Sequence, residues 1–290
     1  MNAERMFDRK RAERRYNRTE LSPSMQEGVN KVRSEIQNNP EYQLREVDFV
    51  DTYEMSSVIA DMQYVKRREK GFEKMNSDEM KETALVSQVF EAIVMTQSEM
   101  SEWLGSNVVT KQTTPYDDYK HGVDMVAEFV QEQNTNELLA LAVDVSFGSK
   151  QIEKKFDAIK KRIEENDLCR IKYFESEDGD FKGRRRNIPL SVIGISRPQV
   201  EALTKLWVNG EKKILGNHPV QALILEQLQA QLIAMYQYAE KCENDTAVRV
   251  YRQALQTIKN VIAQKEEIDT SLIEDDPVHQ EIMTRSLTMF

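Results

Sequence analysis

The chain has 290 residues, of which 40% are hydrophobic and 31% charged, and its formal net charge at pH 7 is −9. This composition predicts a globular protein with one large domain, or with a core and helical additions. No apolar run approaches the roughly 20 residues that cross a bilayer, which excludes a membrane-spanning class for this sequence. Two cysteines, Cys169 and Cys242, and three histidines supply neither a disulfide framework nor a zinc or histidine-built metal site.

The charge is unevenly distributed along the chain. Segments 1–18, 65–74 and 150–186 carry net charges of +4, +3 and +3, so local basic surfaces are expected on an acidic protein. The alternative interpretation is that these runs are solvated helix faces. The first eighteen residues contain no apolar segment, so we expect no secretory signal and a reducing, cytoplasmic location.

The first part of the chain predicts helices. Residues 1–77 are polar and are interrupted at Pro23 and Pro40. Ser77 is suited to cap a long helix over 78–104, which Gly105 would end. Apolar residues recur there at helical spacing: Val86, Phe90, Ile93, Val94, Met100 and Leu104.

The middle of the chain changes to the alternation typical of strands. A polar loop with Thr114 and Pro115 is expected between the first two strands, and the turn-rich segment 177–183 between the last two. The predicted order is strands over 106–113, 122–130 and 138–147, a helix over 151–165, strands within 169–176 and 185–196, and a helix from Arg197 to about Trp207.

The final part is helical again, with long amphipathic helices opening at Pro219 and near Asp245. The acidic tail from Ile268 is expected to be loosely held. The overall order fits neither a regular strand–helix alternation nor a helical bundle, and predicts a mixed α/β fold with a central sheet between helices. We divide the chain into an N-terminal helical extension (1–77), an α/β core (78–210) and a C-terminal helical region that packs on the core (211–290).

One acid stands where none is expected. Asp144 lies in the apolar run LLALAVDVSF, which is typical of a strand buried on both faces. An ionised carboxylate there costs several kcal/mol unless a partner compensates it. Its simplest partner would be the backbone N–H groups of a neighbouring loop.

A second strand acid offers another explanation. Asp124 lies in HGVDMVAEFV, and the intervening chain is long enough for a strand, a polar turn and a return strand. If the two strands are neighbours, Asp124 and Asp144 approach at one end of the sheet. Two such carboxylates need a shared proton or a cation, and Mg²⁺ prefers oxygen ligands of this kind. Glu91, on the preceding helix, is a candidate third carboxylate.

A helix with Glu91, a strand, GVD at 122–124, AVDVS at 142–146 and a crossover helix together resemble the PD-(D/E)XK nuclease superfamily over residues 78–200. The resemblance implies a restriction-endonuclease-like αβββαβ core and Mg²⁺ or Mn²⁺ held by Asp124, Asp144, Glu91 and the Val145 carbonyl. It also implies that the metal polarises a DNA phosphodiester and activates a water.

The sequence departs from the family pattern at two positions. Val123 replaces the usual proline, and Ser146 stands where the family places a lysine. A hydroxyl cannot supply the positive charge that orients the water. Either Lys150 or Lys154 takes that role from the next helix, or the site is inactive.

Other charged residues have two interpretations each. Glu128 shares a strand face with Asp124 and is either a ligand or part of a wet strand end. Asp117 and Asp118 are expected to shape their loop, although either is placed to assist a metal. A basic run could contact DNA phosphates or form a charged turn: Arg184, Arg185 and Arg186.

Three functions remain open from the sequence. The first is a Mg²⁺-dependent nuclease that acts on DNA. The second is a catalytically inactive protein of the same fold that serves as a structural or interaction module, with a homo-oligomer or a protein partner on the terminal helices. The third is an unrelated scaffold in which Asp124 and Asp144 lie far apart.

Overall fold

The computed structural model describes residues 21–37, 39–75, 77–130, 137–144, 150–265 and 268–288, with Met75, Asp144 and Lys150 described by their backbone alone. The helices are α1 (Pro23–Lys31), α2 (Met55–Met75), α3 (Asp78–Met100), α4 (Pro115–His121), α5 (Lys150–Glu164), α6 (Arg197–Val208), α7 (Lys212–Gly216), α8 (Val220–Lys241), α9 (Asp245–Gln264) and α10 (Pro277–Thr288). The strands are β1 (Val108–Gln112), β2 (Met125–Phe129), β3 (Glu137–Asp144), β4 (Cys169–Glu175), β5 (Lys182–Ile188) and β6 (Leu190–Gly194).

The central sheet has four strands in the order β1-β2-β3-β6. The first three strands are antiparallel neighbours, whereas β3 and β6 run parallel, with Val143 opposite Ile193. A parallel pair needs a crossover, and α5 supplies it. Strands β4 and β5 form a separate antiparallel ribbon. The prediction of a mixed α/β fold with a mixed sheet is confirmed.

Local capping explains one difference from the sequence prediction. The expected polar loop after β1 is helix α4, so the loop prediction was wrong. The Thr114 hydroxyl accepts a hydrogen bond from the N–H of Asp117, Pro115 occupies the first turn, and Gly122 ends the helix at φ 67°. These residues are the start and stop signals of a helix of seven residues.

Two further predictions were wrong. β5 begins at Lys182, inside the segment expected to be a turn, and it is separated from β6 by Pro189. The tail is not loosely held, because α10 buries Val278 and Ile282 in the core. Burial of these apolar side chains against α8 and β6 outweighs the acidic composition of the tail.

Buried apolar side chains form a continuous cluster that runs from Met25 to Ile282. All three predicted parts of the chain contribute to it. No helix in the part of the chain that the structure describes is long and apolar enough to cross a membrane.

Side chains of α8 close the outer edge of β6. Gln231 accepts a hydrogen bond from the N–H of Val192 (2.8 Å) and donates one to the carbonyl of the same residue (2.6 Å). Gln227 does the same for Gly194, at 3.0 and 2.7 Å. The two glutamines therefore replace a fifth strand and satisfy backbone groups that would otherwise be buried without partners.

A close helix contact gives a first test of the packing. An ideal Cβ on Gly28 would lie 2.6 Å from Thr204 Cγ2, whereas a Cβ on Gly71 in α2 would meet nothing within 4 Å. We expect Gly28→Ala to lower the free energy of unfolding by about 1–3 kcal/mol through overpacking. Gly71→Ala should raise it by about 0.5–1 kcal/mol, because alanine favours a helix interior.

Urea unfolding of the two variants and the wild type measures both effects. Equal changes in the two variants would contradict the packing of α1 against α6.

Candidate active site

Three strand ends meet at one end of the central sheet. β1 ends at Gln112, β2 begins directly after Asp124, and β3 ends at Asp144. Because these strands alternate in direction, the end of one lies beside the start of the next. Asp124 and Asp144 therefore belong to neighbouring strands, as the sequence spacing requires.

The backbone around Asp124 is fixed on both sides. Its N–H donates to the Leu141 carbonyl (3.0 Å), and its own carbonyl accepts from the N–H of Thr113 (3.1 Å). Its carboxylate reaches across to β3, where Oδ2 accepts from the N–H of Val143 (2.6 Å). Asp124 thus points at the residue that precedes Asp144.

Glu91 approaches the same place from α3. The amide of Gln112 donates to its carboxylate at 3.3 Å. Burial, followed by the negative charges of Asp124 and Asp118, raises the pKa of Glu91 well above its usual range, against the opposing charge of Lys155. The carboxyl group of Glu91 is therefore favoured in its protonated form when no cation is present.

Asp118 joins the cluster from α4. Its pKa is raised well above the usual range by burial, by the charge of Asp124 and by a side-chain hydrogen bond with Asp124. Burial and the neighbouring negative charge of Asp124 both disfavour the ionised form of Asp118. The sequence predicted that Asp118 shapes its loop or assists a metal. It gave no signal for the contact with Asp124, which depends on residues 115–121 folding as helix α4.

Lys155 is the basic residue of this cluster. From the second turn of α5, its ammonium donates a hydrogen bond to the Val143 carbonyl. Lys154 is exposed on the same helix, and the side chain of Lys150 lies outside the described part of the chain, as do Val145 and Ser146. The sequence suggested Lys150 or Lys154 and gave no signal for Lys155, because the rotation of α5 on the sheet decides which lysine reaches the strand.

The carboxylates that meet here are of the chemical type that binds a hard divalent cation. Glu91, Asp118 and Asp124 offer carboxylate oxygens, and their mutual repulsion is what such an ion relieves. Within the described residues, however, no group of three or more His, Cys, Asp and Glu side chains already has the arrangement of a ligand set. Asp144, whose side chain is not among those described, is the remaining acid predicted for the site.

Two other acids have structural partners. Asp117 is buried, and its carboxylate accepts from the N–H groups of Lys172 (2.8 Å) and Tyr173 (3.0 Å), where a bulge interrupts the β4–β5 pairing. Burial raises its pKa to about 6 despite these hydrogen bonds. Glu128 accepts from the N–H of Glu177 (2.9 Å). Asp117 therefore connects α4 to β4, and Glu128 connects β2 to the turn between β4 and β5.

The three arginines of the basic run lie in different surroundings. Arg184 and Arg186 are exposed on β5. Arg185 instead packs its guanidinium 3.7 Å from the centre of the Phe181 ring. Arg184 and Arg186 are therefore accessible to a ligand, whereas Arg185 contributes to packing.

Comparison of the chain with protein-family models, with curated proteins and with solved structures gives no match. The functional assignment therefore depends on the geometry and chemistry of the site alone.

Proposed function

We propose that this chain is a PD-(D/E)XK-like, Mg²⁺- or Mn²⁺-dependent phosphodiesterase that acts on DNA. The observation that carries the proposal is the meeting of Glu91, Asp118, Asp124 and Lys155 at the sheet end where β3 terminates at Asp144. The order α3-β1-β2-β3-α5-β6, with α4 inserted after β1 and the β4–β5 ribbon inserted after α5, supports a restriction-endonuclease-like core.

The proposed roles follow from residue chemistry. Asp124, Asp144 and Glu91 would hold the cation through carboxylate oxygens, with the Val145 carbonyl as a further ligand. When bound, the cation supplies Lewis acidity that polarises the phosphate and lowers the pKa of a water. With a cation on Asp124, the ionised form of Asp118 would be favoured, because the positive charge would offset the repulsion between the two carboxylates.

Lys155 supplies the positive charge missing from the strand position of Ser146. Its ammonium already lies at the Val143 carbonyl, one residue before Asp144. From there it would orient the attacking water and offset charge on the phosphate as the P–O bond breaks. This assignment revises the choice of Lys150 or Lys154 while keeping the idea of a lysine supplied by the crossover helix.

Thermal melting with and without Mn²⁺ tests the proposed ion site. An ion that binds only the native state at a hundredfold excess over its Kd adds about 2.7 kcal/mol, which raises Tm by several degrees. The raised pKa values of Glu91 and Asp118 stabilise the ion-free protein below their unfolded values near 4, and this stabilisation is lost as pH rises through the folded values. The ion must displace these protons, so the Mn²⁺ shift should grow with rising pH.

Asp124→Asn should remove the Mn²⁺ shift and its pH dependence. Asp157→Asn, on the exposed face of α5, is the matched control and should retain both. An equal Mn²⁺ shift in Asp124→Asn and wild type would contradict the ion site.

One observation favours a second candidate, a catalytically inactive protein of the same fold. Glu91 and Asp124 each accept a hydrogen bond from a protein donor, and Asp118 is bonded to Asp124, so these groups have partners without an ion. In that case the acids would be structural acceptors, and the terminal helices would form an interaction surface. Absence of any Mn²⁺ shift in the wild type would favour this candidate.

A further inference from the structure

Two basic segments that are distant in the sequence meet at helix α4. Tyr64 of α2 donates a hydrogen bond to the Tyr119 carbonyl (3.4 Å), and the Phe72 and Tyr119 rings stack at 5.6 Å. The Lys120 ammonium lies 5.5 Å from the centre of the Tyr64 ring. The second half of α2 is thereby held against the helix that carries Asp118.

This half of α2 is basic and exposed. Its acids are Glu69 and Glu73, and its exposed bases are Lys66, Arg67, Arg68, Lys70 and Lys74. Lys66, Lys70 and Lys74 recur at intervals of four residues and so follow one side of the helix.

On the other side of α4, cations surround His121. Arg162 of α5 donates to the His121 carbonyl (2.8 Å). Burial, followed by the charges of Arg162, Arg170, Lys120 and Arg184, lowers the pKa of His121 to about 4. Basic residues of α4, α5 and the β4–β5 ribbon therefore lie near His121.

The end of the β4–β5 ribbon that contains Arg170 and Arg186, which we call its stem, also has an excess of positive charge. Arg170 and Arg186 are direct cross-strand partners, an arrangement of like charges that destabilises a sheet. Asp167 pairs with Arg170, whereas Arg186 remains exposed. The acids of the ribbon gather at its tip, where Glu177 pairs with Lys111 and Glu175 with Lys182. The stem therefore attracts a polyanion and the tip does not.

We propose that the second half of α2, Lys120 and the stem of the β4–β5 ribbon form one binding surface for the backbone of double-stranded DNA. We call this set of residues the basic surface. This inference rests on the proposed function only in naming DNA as the polymer that binds. The basic surface itself lies outside the strands that carry the acids. Lys120 is exposed on α4, the short helix that also carries Asp118, so this helix connects the basic surface to the carboxylates.

The side chains favour a duplex over a single strand. Single-stranded nucleic acids are held by aromatic rings on which bases stack. Among the described aromatic side chains, Phe72 is exposed and already stacks on Tyr119, while the tyrosines and tryptophans are all at least partly buried. Exposed cations without stacking rings are typical of contact with a duplex backbone.

Fluorescence anisotropy with a short labelled DNA duplex tests the proposal. The full chain carries Asp124→Asn in every variant and EDTA is present, so binding is measured without cleavage. We expect log K to fall linearly with log salt concentration, by a slope of about −0.9 per phosphate contact. Lys66→Gln/Lys70→Gln/Lys120→Gln should weaken binding at least tenfold and reduce that slope by about 2–3.

The control is Lys212→Gln/Lys213→Gln/Lys259→Gln, which removes the same charge from exposed positions on α7 and α9. It should bind like its parent. Equal weakening by the two triple variants would overturn the proposal, as would tighter binding of single-stranded DNA or of duplex RNA. If the wild-type protein binds the duplex but does not cleave DNA in Mg²⁺, the proposed function is refuted and this inference is not. If the wild-type protein cleaves DNA but the basic surface does not contribute to binding, this inference is refuted and the proposed function is not.

Discussion

If the proposed function is correct, Lys155→Met should lower Mg²⁺-dependent cleavage of supercoiled plasmid by about 10²–10³-fold, because it removes the positive charge that we assign to the scissile phosphate. Methionine keeps the length of the side chain and removes its charge. Asp124→Asn and Asp144→Asn should lower cleavage by about 10³-fold or more, since a lost metal contact removes several kcal/mol of transition-state stabilisation. The measurement is the initial nicking rate in Mg²⁺, followed on gels.

Lys154→Met is the matched control for Lys155→Met. Lys154 is the neighbouring residue of α5, is exposed, and should tolerate the change with a rate close to that of the wild type. The thermal midpoint of each variant shows whether a lost rate reflects unfolding. If Lys154→Met abolishes nicking while Lys155→Met leaves it intact, the assignment of Lys155 is wrong and Lys154, one of the two lysines suggested by the sequence, takes that role.

Gln227→Leu and Gln231→Leu are each expected to lower the free energy of unfolding by about 2–4 kcal/mol. Each change leaves one N–H and one carbonyl of β6 buried without a partner, at about 1–3 kcal/mol per group. If the loss of these hydrogen bonds lets α8 detach in the double variant, the unpaired edge of β6 becomes open to another copy of the chain. Guanidinium unfolding measures the stability, and size-exclusion chromatography with light scattering measures the mass in solution.

Gln237→Leu serves as the control, because Gln237 is exposed on the same helix. It should leave the unfolding midpoint nearly unchanged. Midpoints for Gln227→Leu and Gln231→Leu that match this control would show that α8 does not close the edge of β6.

The capping glutamines show why pattern alone is insufficient. The α8 sequence is amphipathic, and its glutamines resemble a solvated face, yet Gln227 and Gln231 are buried. A glutamine is stable in that position only if a strand edge presents a donor and an acceptor to it. That information lies in β6, more than thirty residues earlier in the chain.

The sequence likewise predicts only part of the carboxylate cluster, which consists of Glu91, Asp118, Asp124 and Asp144. The sequence placed Asp124 and Asp144 on successive strands, since an acid in a continuous apolar run is conspicuous, and the structure makes those strands neighbours. It gave no reason to choose Lys155 over Lys154, or to place Asp118 against Asp124. The first choice depends on how α5 is rotated against the sheet, and the second on the folding of residues 115–121 as helix α4.

The sequence by itself determined the mixed α/β class, the long capped helix that carries Glu91, and the strands of the central sheet, because hydrophobic period and capping residues are local properties. Tertiary structure decided the ordered helix α10, the edge closure of β6 and the residues that meet Asp124. These features depend on burial and on hydrogen bonds between segments far apart in the chain, and the free energy of such contacts exists only when the partners have been brought together.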